Sequence, residues 1–203
     1  LKAEPSSYSL LKPERIIMGI DPGTNLLGYA IIGVSGSQVQ VIGLGVLKLA
    51  IYQDPYIKLR EIFTRVLALI DQYKPDDLAI EAPFYGKNVQ SMLKLGRAQG
   101  VCMAAALYRS IPVTEYSPRR VKQSITGKGA ASKEQVSGML HHLVQFDAAP
   151  YTLDATDALA VAICHHQSGS SQVKSAGNYS GWDAFIKSNP GRVKSPPADK
   201  EGK

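Results

Sequence analysis

Apolar positions fall into segments divided by short polar breaks, and the spacing within each segment predicts an element. Ile16-Ile17-Met18-Gly19-Ile20 is a short, almost unbroken apolar run, which reads as a buried strand. Asp21-Pro22-Gly23-Thr24 closes it, since a Pro-Gly pair marks a turn. Gly28 to Val34 and Val39 to Leu49 are apolar and β-branched, with Ser35-Gly36-Ser37 between them, so these first three segments predict an antiparallel meander. From Tyr56 to Tyr73 the period changes. Ile57, Ile62, Phe63, Val66, Leu67 and Ile70 share one helical face, and Pro75 stops the helix. Leu78 to Glu81 predicts a fourth strand, Pro83 to Lys87 a loop, Val89 to Arg109 a second long helix and Ile111 to Tyr116 a fifth strand. Pro118 to Ile125 predicts a short helix with Pro near its first position. Thr126 to Ala131 reads as a flexible loop. Ser132 is a candidate cap for a helix through Val144, with Glu134 standing one residue early for a capping box. A last helix is expected from Thr152 to His166.

This order implies an α/β fold: a five-stranded mixed sheet flanked by helices on both faces. The 203 residues suffice for one domain with a sizeable core. The expected organisation is an N-terminal extension over residues 1–14, a folded domain over 15–167 and a basic tail over 168–203. From Gln167 onward the chain is rich in Ser, Gly, Pro and Lys and poor in large apolar residues, so the tail is expected to be mostly disordered. Gly181-Trp182-Asp183-Ala184-Phe185-Ile186 is a candidate docking patch within it.

Composition narrows the class. Cys102 and Cys164 are the two cysteines, each inside an apolar segment, so no disulfide framework or zinc pattern can be built and a reducing cytoplasm is the default. No apolar run approaches the roughly 18 residues of a membrane span, and Leu1 to Glu14 lacks the apolar core of a signal peptide. The net charge is +6, and its distribution says more than its size. Between Tyr85 and Lys133 stand nine basic residues, Lys87, Lys94, Arg97, Arg109, Arg119, Arg120, Lys122, Lys128 and Lys133, against the single acid Glu115. A basic segment apart from the acids suits contact with phosphates, although a solvated basic face has the same composition.

Four acids stand where a carboxylate has no structural reason to be. Asp21 and Glu81 end apolar strands, and Asp154 and Asp157 interrupt the apolar stretch from Leu153 to Ile163. Buried carboxylates are costly unless paired or bound to a cation, and four of them converging would repel one another. Strands one and four, expected side by side, would present Asp21 and Glu81 at their carboxyl ends. Asp154 and Asp157, three apart on a helix, project from one face. If that helix crosses the strand ends, all four meet in an oxygen-rich site of the kind that suits Mg²⁺ or Mn²⁺. Two such ions can activate water and stabilise the leaving oxygen of a phosphodiester. Taken singly, Asp154 also fits a helix N-terminal acid and Asp21 a turn cap; the set of four is what argues for a metal site.

Ile20-Asp21-Pro22-Gly23-Thr24, Ile80-Glu81-Ala82-Pro83-Phe84, Lys87-Asn88, Leu95-Gly96-Arg97-Ala98-Gln99-Gly100 and Asp154-Ala155-Thr156-Asp157-Ala158-Leu159-Ala160 together resemble the RuvC family of bacterial Holliday-junction resolvases, the crossover junction endodeoxyribonucleases. The resemblance runs from about Arg15 to His166. It implies a ribonuclease H-like fold, with Asp21, Glu81, Asp154 and Asp157 as metal-binding catalytic carboxylates and Asp21 bridging two Mg²⁺ ions, Mn²⁺ substituting. By the same resemblance Phe84 is the aromatic residue that stacks against bases near the crossover, and Lys122 and Lys133 lie near the scissile phosphate. Lys87, Arg119 and Arg120 are candidate DNA-backbone contacts. The resemblance further implies a homodimer, since a four-way junction needs two symmetric cuts, and cooperation with the RuvA–RuvB branch-migration complex. Thr156 stands where the family often has Ala, and no effect is expected from it. His141-His142 and His165-His166 are poor metal pairs, because adjacent helical residues point about 100° apart.

Rival readings are a junction-binding protein with an inactive nuclease site, an actin-like ATPase suggested by Asp21-Pro22-Gly23-Thr24 alone, and a related nuclease acting on RNA or hybrids. The second needs two domains and a further phosphate loop, for which 203 residues leave no room.

Overall fold

Five strands lie in the order β3-β2-β1-β4-β5 in a computed structural model that describes residues 13–83, 88–144, 146 and 152–172. The chain divides into a unit from Leu1 to Ser168 and another from Gly169 to Lys203, and the architecture below is that of the first. β1 (Arg15–Asp21), β2 (Leu26–Ser35) and β3 (Gln38–Lys48) form the expected antiparallel meander, with β2 and β3 shifted in register beside Ile31 and Ile32. α1 (Pro55–Tyr73) leads back to β4 (Asp77–Glu81), which pairs parallel to β1 in the register Ile20↔Ile80. α2 (Val89–Tyr108) leads to β5 (Val113–Tyr116), parallel to β4. α3 (Pro118–Thr126), α4 (Lys133–Leu143) and α5 (Leu153–Gln172) complete the chain.

Alternation along the strands assigns the two faces. Met18, Ile20, Leu78 and Ile80 pack with Ile62, Val66 and Ile70 of α1 and with Cys102, Ala105 and Ala106 of α2. Ile17, Ala30, Ile32 and Ala79 pack with Val121, Ile125, Val136 and Leu140 of α3 and α4 and with the apolar face of α5. Asp21 and Glu81 are in phase with Ile17 and Ala79, so the pleat aims both carboxylates toward the α5 side.

Local sequence explains the helix ends. Asp54 caps α1 by accepting from Tyr56 N and Ile57 N, Pro55 fills its first turn, and Lys74 closes it in the left-handed region at φ 48°. Asn88 caps α2 through Ser91 N, and Ser117 caps α3 through Arg120 N.

Ser132 caps α4 as expected, and Gln135, next after the Glu134 that stands one residue early, completes a capping box: its side chain accepts from the Ser132 amide while Ser132 Oγ accepts from Gln135 N, because an amide oxygen serves as well as a carboxylate. Two expectations need correction. The segment Thr126–Ala131, expected to be flexible, is braced. Thr126 Oγ1 donates to the Lys122 or Lys128 carbonyl and accepts from Lys128 N, and Gly127 caps α3 at φ 74°. The last helix runs on to Gln172, past His166 and into the segment expected to be disordered. No proline interrupts it there, and Ser168 Oγ bonds back to the Cys164 carbonyl. Residues 1–12, most of the tail and the Gly181–Ile186 patch lie outside the described residues. No helix among the described residues is long and apolar enough to cross a membrane.

Candidate active site

α5 lies unusually close to the sheet because both surfaces are small where they meet. A Cβ on Gly19 would stand 2.2 Å from the Ala158 carbonyl oxygen and 2.9 Å from Ala162 Cβ, and one on Gly28 would stand 2.0 Å from the Asp154 carbonyl oxygen. The helix backbone therefore rests on strand backbone, and its first turns bring Asp154 and Asp157 to the carboxyl end of β1.

There Asp21, Asp154 and Asp157 converge, offering ligand oxygens that all lie within 4.8 Å of one another. Glu81 is outside that tightest set and stands beside it, sharing with Asp21 an open cleft lined also by Pro22, Ala82, Pro83 and Leu95. The turn that follows Asp21 is tied down from α1: Lys58 Nζ donates to the Thr24 carbonyl at 3.1 Å and to Asn25 Oδ1 at 3.3 Å. The Asn25 carbonyl in turn accepts from Leu49 N and Ala50 N.

Electrostatics follow from this crowding. Burial first, then the charges of Glu81 and Asp157, push the Asp21 carboxyl up to about 8. Burial and then Asp157 push Glu81 up to about 7, with Lys133 and Lys122 opposing. Lys133, at the start of α4, donates a hydrogen bond from its ammonium to Asp157 Oδ2. Burial works against the Lys133 charge, but the bond to Asp157 and the fields of Asp157, Asp21 and Asp154 raise its pKa. Lys122, on α3, is near enough to act on Glu81.

The donor set fits a hard divalent cation. It consists of carboxylate oxygens alone, without sulfur or imidazole, and after burial it is neighbouring carboxylates that push Asp21 and Glu81 up, a repulsion that a cation would relieve. Asp21, Asp154 and Asp157 would hold such an ion, with Glu81 beside them.

The other sequence candidates are dispersed. Arg119 lays its stem against Gly129, where an added Cβ would meet its Cγ at 2.7 Å. Arg120 reaches Ser168 Oγ on α5 at 3.4 Å. Phe84 and Lys87 lie outside the described residues. The direct bond of Lys133 to a carboxylate was not legible in sequence, where the lysine reads as a phosphate contact. Nothing in the spacing of Lys133 and Asp157, 24 residues apart, signals that α4 and α5 meet there.

Comparison with known proteins agrees with this geometry. The family model described as crossover junction endodeoxyribonuclease RuvC matches residues 17–165. The RuvC of Christiangramia forsetii is 52% identical over 193 residues, covering 95% of this chain and 100% of that protein. The RuvC of Bacteroides fragilis is 55% identical over 183 residues, covering 89% and 97% respectively. Among solved structures, T. thermophilus RuvC in complex with a Holliday junction substrate is 29% identical, with a TM-score of 0.72 over 78% of this chain and 96% of that one. With a ribonuclease H-like sheet, an acidic centre at its strand ends and this degree of identity across nearly the whole chain, the protein belongs to the RuvC family of crossover junction endodeoxyribonucleases.

Proposed function

We propose that this protein is a metal-dependent, structure-selective endonuclease that resolves four-way DNA junctions as a homodimer. The observation that carries the reading is the convergence of Asp21, Asp154 and Asp157, with Glu81 beside them and Lys133 and Lys122 on the rim. When bound, Mg²⁺ or Mn²⁺, two ions per site by the family resemblance, supplies an activated water and neutralises charge at the leaving oxygen.

The residues divide the remaining work. Asp21 and Glu81 are fixed to adjacent strand ends, so their spacing is set by the β1–β4 register. Asp154 and Asp157 are fixed to the helix, and its close seat on Gly19 and Gly28 sets their height over the strands. Lys133 and Lys122 carry positive charge to the rim, where a DNA phosphate would approach. Lysine suits that role as a compact point charge. Arg119, Arg120 and Lys87 would contact the DNA backbone, and Phe84, three residues past Glu81, would stack on an unpaired base. Junction choice would rest on shape and phosphate geometry. Cleavage of two strands of like polarity would leave 5′-phosphate and 3′-hydroxyl ends. Action beside the RuvA–RuvB motor would place the enzyme in the cytoplasm.

The test is cleavage of an end-labelled synthetic four-way junction with Mg²⁺ or EDTA, beside duplex and RNA–DNA hybrid controls. Paired, symmetric, Mg²⁺-dependent nicks on the junction alone support the reading. Tight binding without nicks would instead identify a junction-binding protein with an inactive site.

A further inference from the structure

His165 on α5 is a buried polar side chain outside the acidic centre, 8% exposed, and both of its ring nitrogens are engaged. Nε2 lies 3.1 Å from Arg15 Nη2 on β1, and Nδ1 lies 3.0 Å from the Tyr116 hydroxyl on β5. A guanidinium can only donate, so Nε2 accepts from it. The proton of the neutral ring is then on Nδ1, which donates to the Tyr116 oxygen. Asp77 on β4 orients the guanidinium by accepting from Arg15 Nε at 2.6 Å, and stands 3.7 Å from His165 Nε2, beyond hydrogen-bond reach. The Tyr116 and His165 rings meet edge to face, with centroids 5.8 Å apart. One histidine thus joins α5 directly to β1 and β5, and through Arg15 to β4. Burial chiefly, and the charges of Arg15 and His166, hold its pKa below the ordinary value against the pull of Asp77, which agrees with a neutral ring.

The rest of the buried α5 surface is almost wholly apolar. Ala155, Ala158, Ala160 and Ala162 are essentially fully buried, two of them over Gly19, beside the buried Leu159, Val161 and Ile163. Apolar contact of this kind is non-directional, whereas the two bonds of His165 are directional. His165 lies eleven residues beyond Asp154, about 16 Å along the helix and only about 20° around it. It therefore shares the strand-facing side with that carboxylate, and a turn of the helix would move both together.

We infer that His165 is a positioning residue for the acidic centre: its neutral ring, held between Tyr116 and Arg15, sets the rotation of α5 on its Gly19 and Gly28 seat and so the placement of Asp154 and Asp157. This rests on reading that centre as the metal site of a junction nuclease. Mislocation of a reacting group by about 1 Å can cost about 100-fold in rate, and loss of a group that orients metal ligands typically costs about 10- to 100-fold in metal affinity or activity.

The experiment is calorimetric Mg²⁺ titration of wild type, His165→Leu, His165→Gln and Tyr116→Phe, with junction affinity and nicking rate measured in parallel. His165→Leu should bind Mg²⁺ about 10-fold more weakly and nick about 10- to 100-fold more slowly at saturating Mg²⁺, with junction Kd within about two-fold of wild type. His165→Gln, which can present an oxygen to Arg15 and an amide N–H to Tyr116, should recover Mg²⁺ affinity to within about three-fold. Equal losses in Leu and Gln would reduce His165 to a packing residue and overturn the inference, as would wild-type behaviour of Leu. If His165→Leu does not fold, Tyr116→Phe decides: it removes one oxygen, and an unchanged Mg²⁺ affinity would overturn the inference. Wild type that binds Mg²⁺ and responds to His165→Leu without nicking junctions would sustain the positioning role and sink the nuclease reading instead.

Discussion

Lys133 donates its ammonium hydrogen bond to Asp157, so a side chain from α4 brings positive charge to the carboxylate cluster. Asp157 is mostly buried and Lys133 half exposed, so solvent screens the pair and its own contribution is at most about 1 kcal/mol. Lys133 also opposes the upward shift of Asp21 and Glu81. Lys133→Met should therefore lower the melting temperature more in EDTA than in Mg²⁺, where bound cation replaces the lost charge. Scanning calorimetry in the two buffers checks this. An equal drop in both would mean that the pair is an ordinary surface contact.

The two raised carboxyls make the metal-free protein sensitive to alkali. A carboxylic acid with an ordinary unfolded value near 4 that titrates at about 8 (Asp21) or about 7 (Glu81) in the fold binds protons more tightly when folded. Its stabilising effect is present at low pH and is lost as pH rises from the ordinary carboxylate range through 7 and 8. In EDTA, the contribution of this pair should thus fall between about pH 5 and pH 8. Saturating Mg²⁺ should flatten that dependence, because the carboxylates are then needed in the ionised form. Melting temperatures across this range, with and without Mg²⁺, provide the measurement; identical profiles would show that the cluster binds no cation.

Backbone contact between α5 and the sheet predicts a second class of defect. Gly19→Ala and Gly28→Ala place a methyl group against the Ala158 and Asp154 carbonyls, closer than real Cβ contacts occur. The helix must lift, at a cost of about 1–3 kcal/mol for overpacking, and Asp154 and Asp157 lift with it. Nicking should fall by more than the loss of folded protein explains. Gly138→Ala on α4 is the control: its Cβ would meet nothing within 4 Å, and replacing a mid-helix glycine should stabilise by about 0.5–1 kcal/mol. Cleavage rates normalised to folded fraction distinguish the cases. A Gly19→Ala protein with full specific activity would refute close seating as the source of the geometry.

The elements were legible because strand and helix periods are local. The meander and the placing of Asp21 and Glu81 at strand ends follow from alternation and turn chemistry around Pro22 and Pro75, with strand four expected beside strand one; that the two run parallel is what the structure adds. The approach of Asp154 and Asp157 was legible from their three-residue spacing. What sequence did not disclose depends on partners distant in the chain. Gly19 reads as an ordinary strand glycine until Ala158 is found above it. The bond of Lys133 to Asp157 has no signal in the local sequence of either residue. His165 reads as half of a poor metal pair until Arg15, 150 residues away, is found at its Nε2. Each is a tertiary contact between side chains whose local sequence would tolerate many other arrangements.

Asp21→Asn sets stability against activity at one residue. Asp21 is raised by burial first and by Glu81, Asp157 and Asp154 after it, with Lys133 opposing, so above pH 8 its charge is a net cost to the metal-free fold. The amide is nearly the same shape and carries no charge. In EDTA at pH 8.5 or above, Asp21→Asn should melt at a higher temperature than wild type, and the advantage should shrink toward pH 5, where wild-type Asp21 is itself protonated. The same change removes an oxygen ligand charge from the cluster of three, so Mg²⁺ should stabilise the variant far less than wild type, and junction nicking should be lost while junction binding is kept. A stabilised, binding-competent, inactive variant is the signature of a residue maintained for chemistry at the expense of the fold. A destabilised one would assign Asp21 a structural role in the Pro22-Gly23-Thr24 turn.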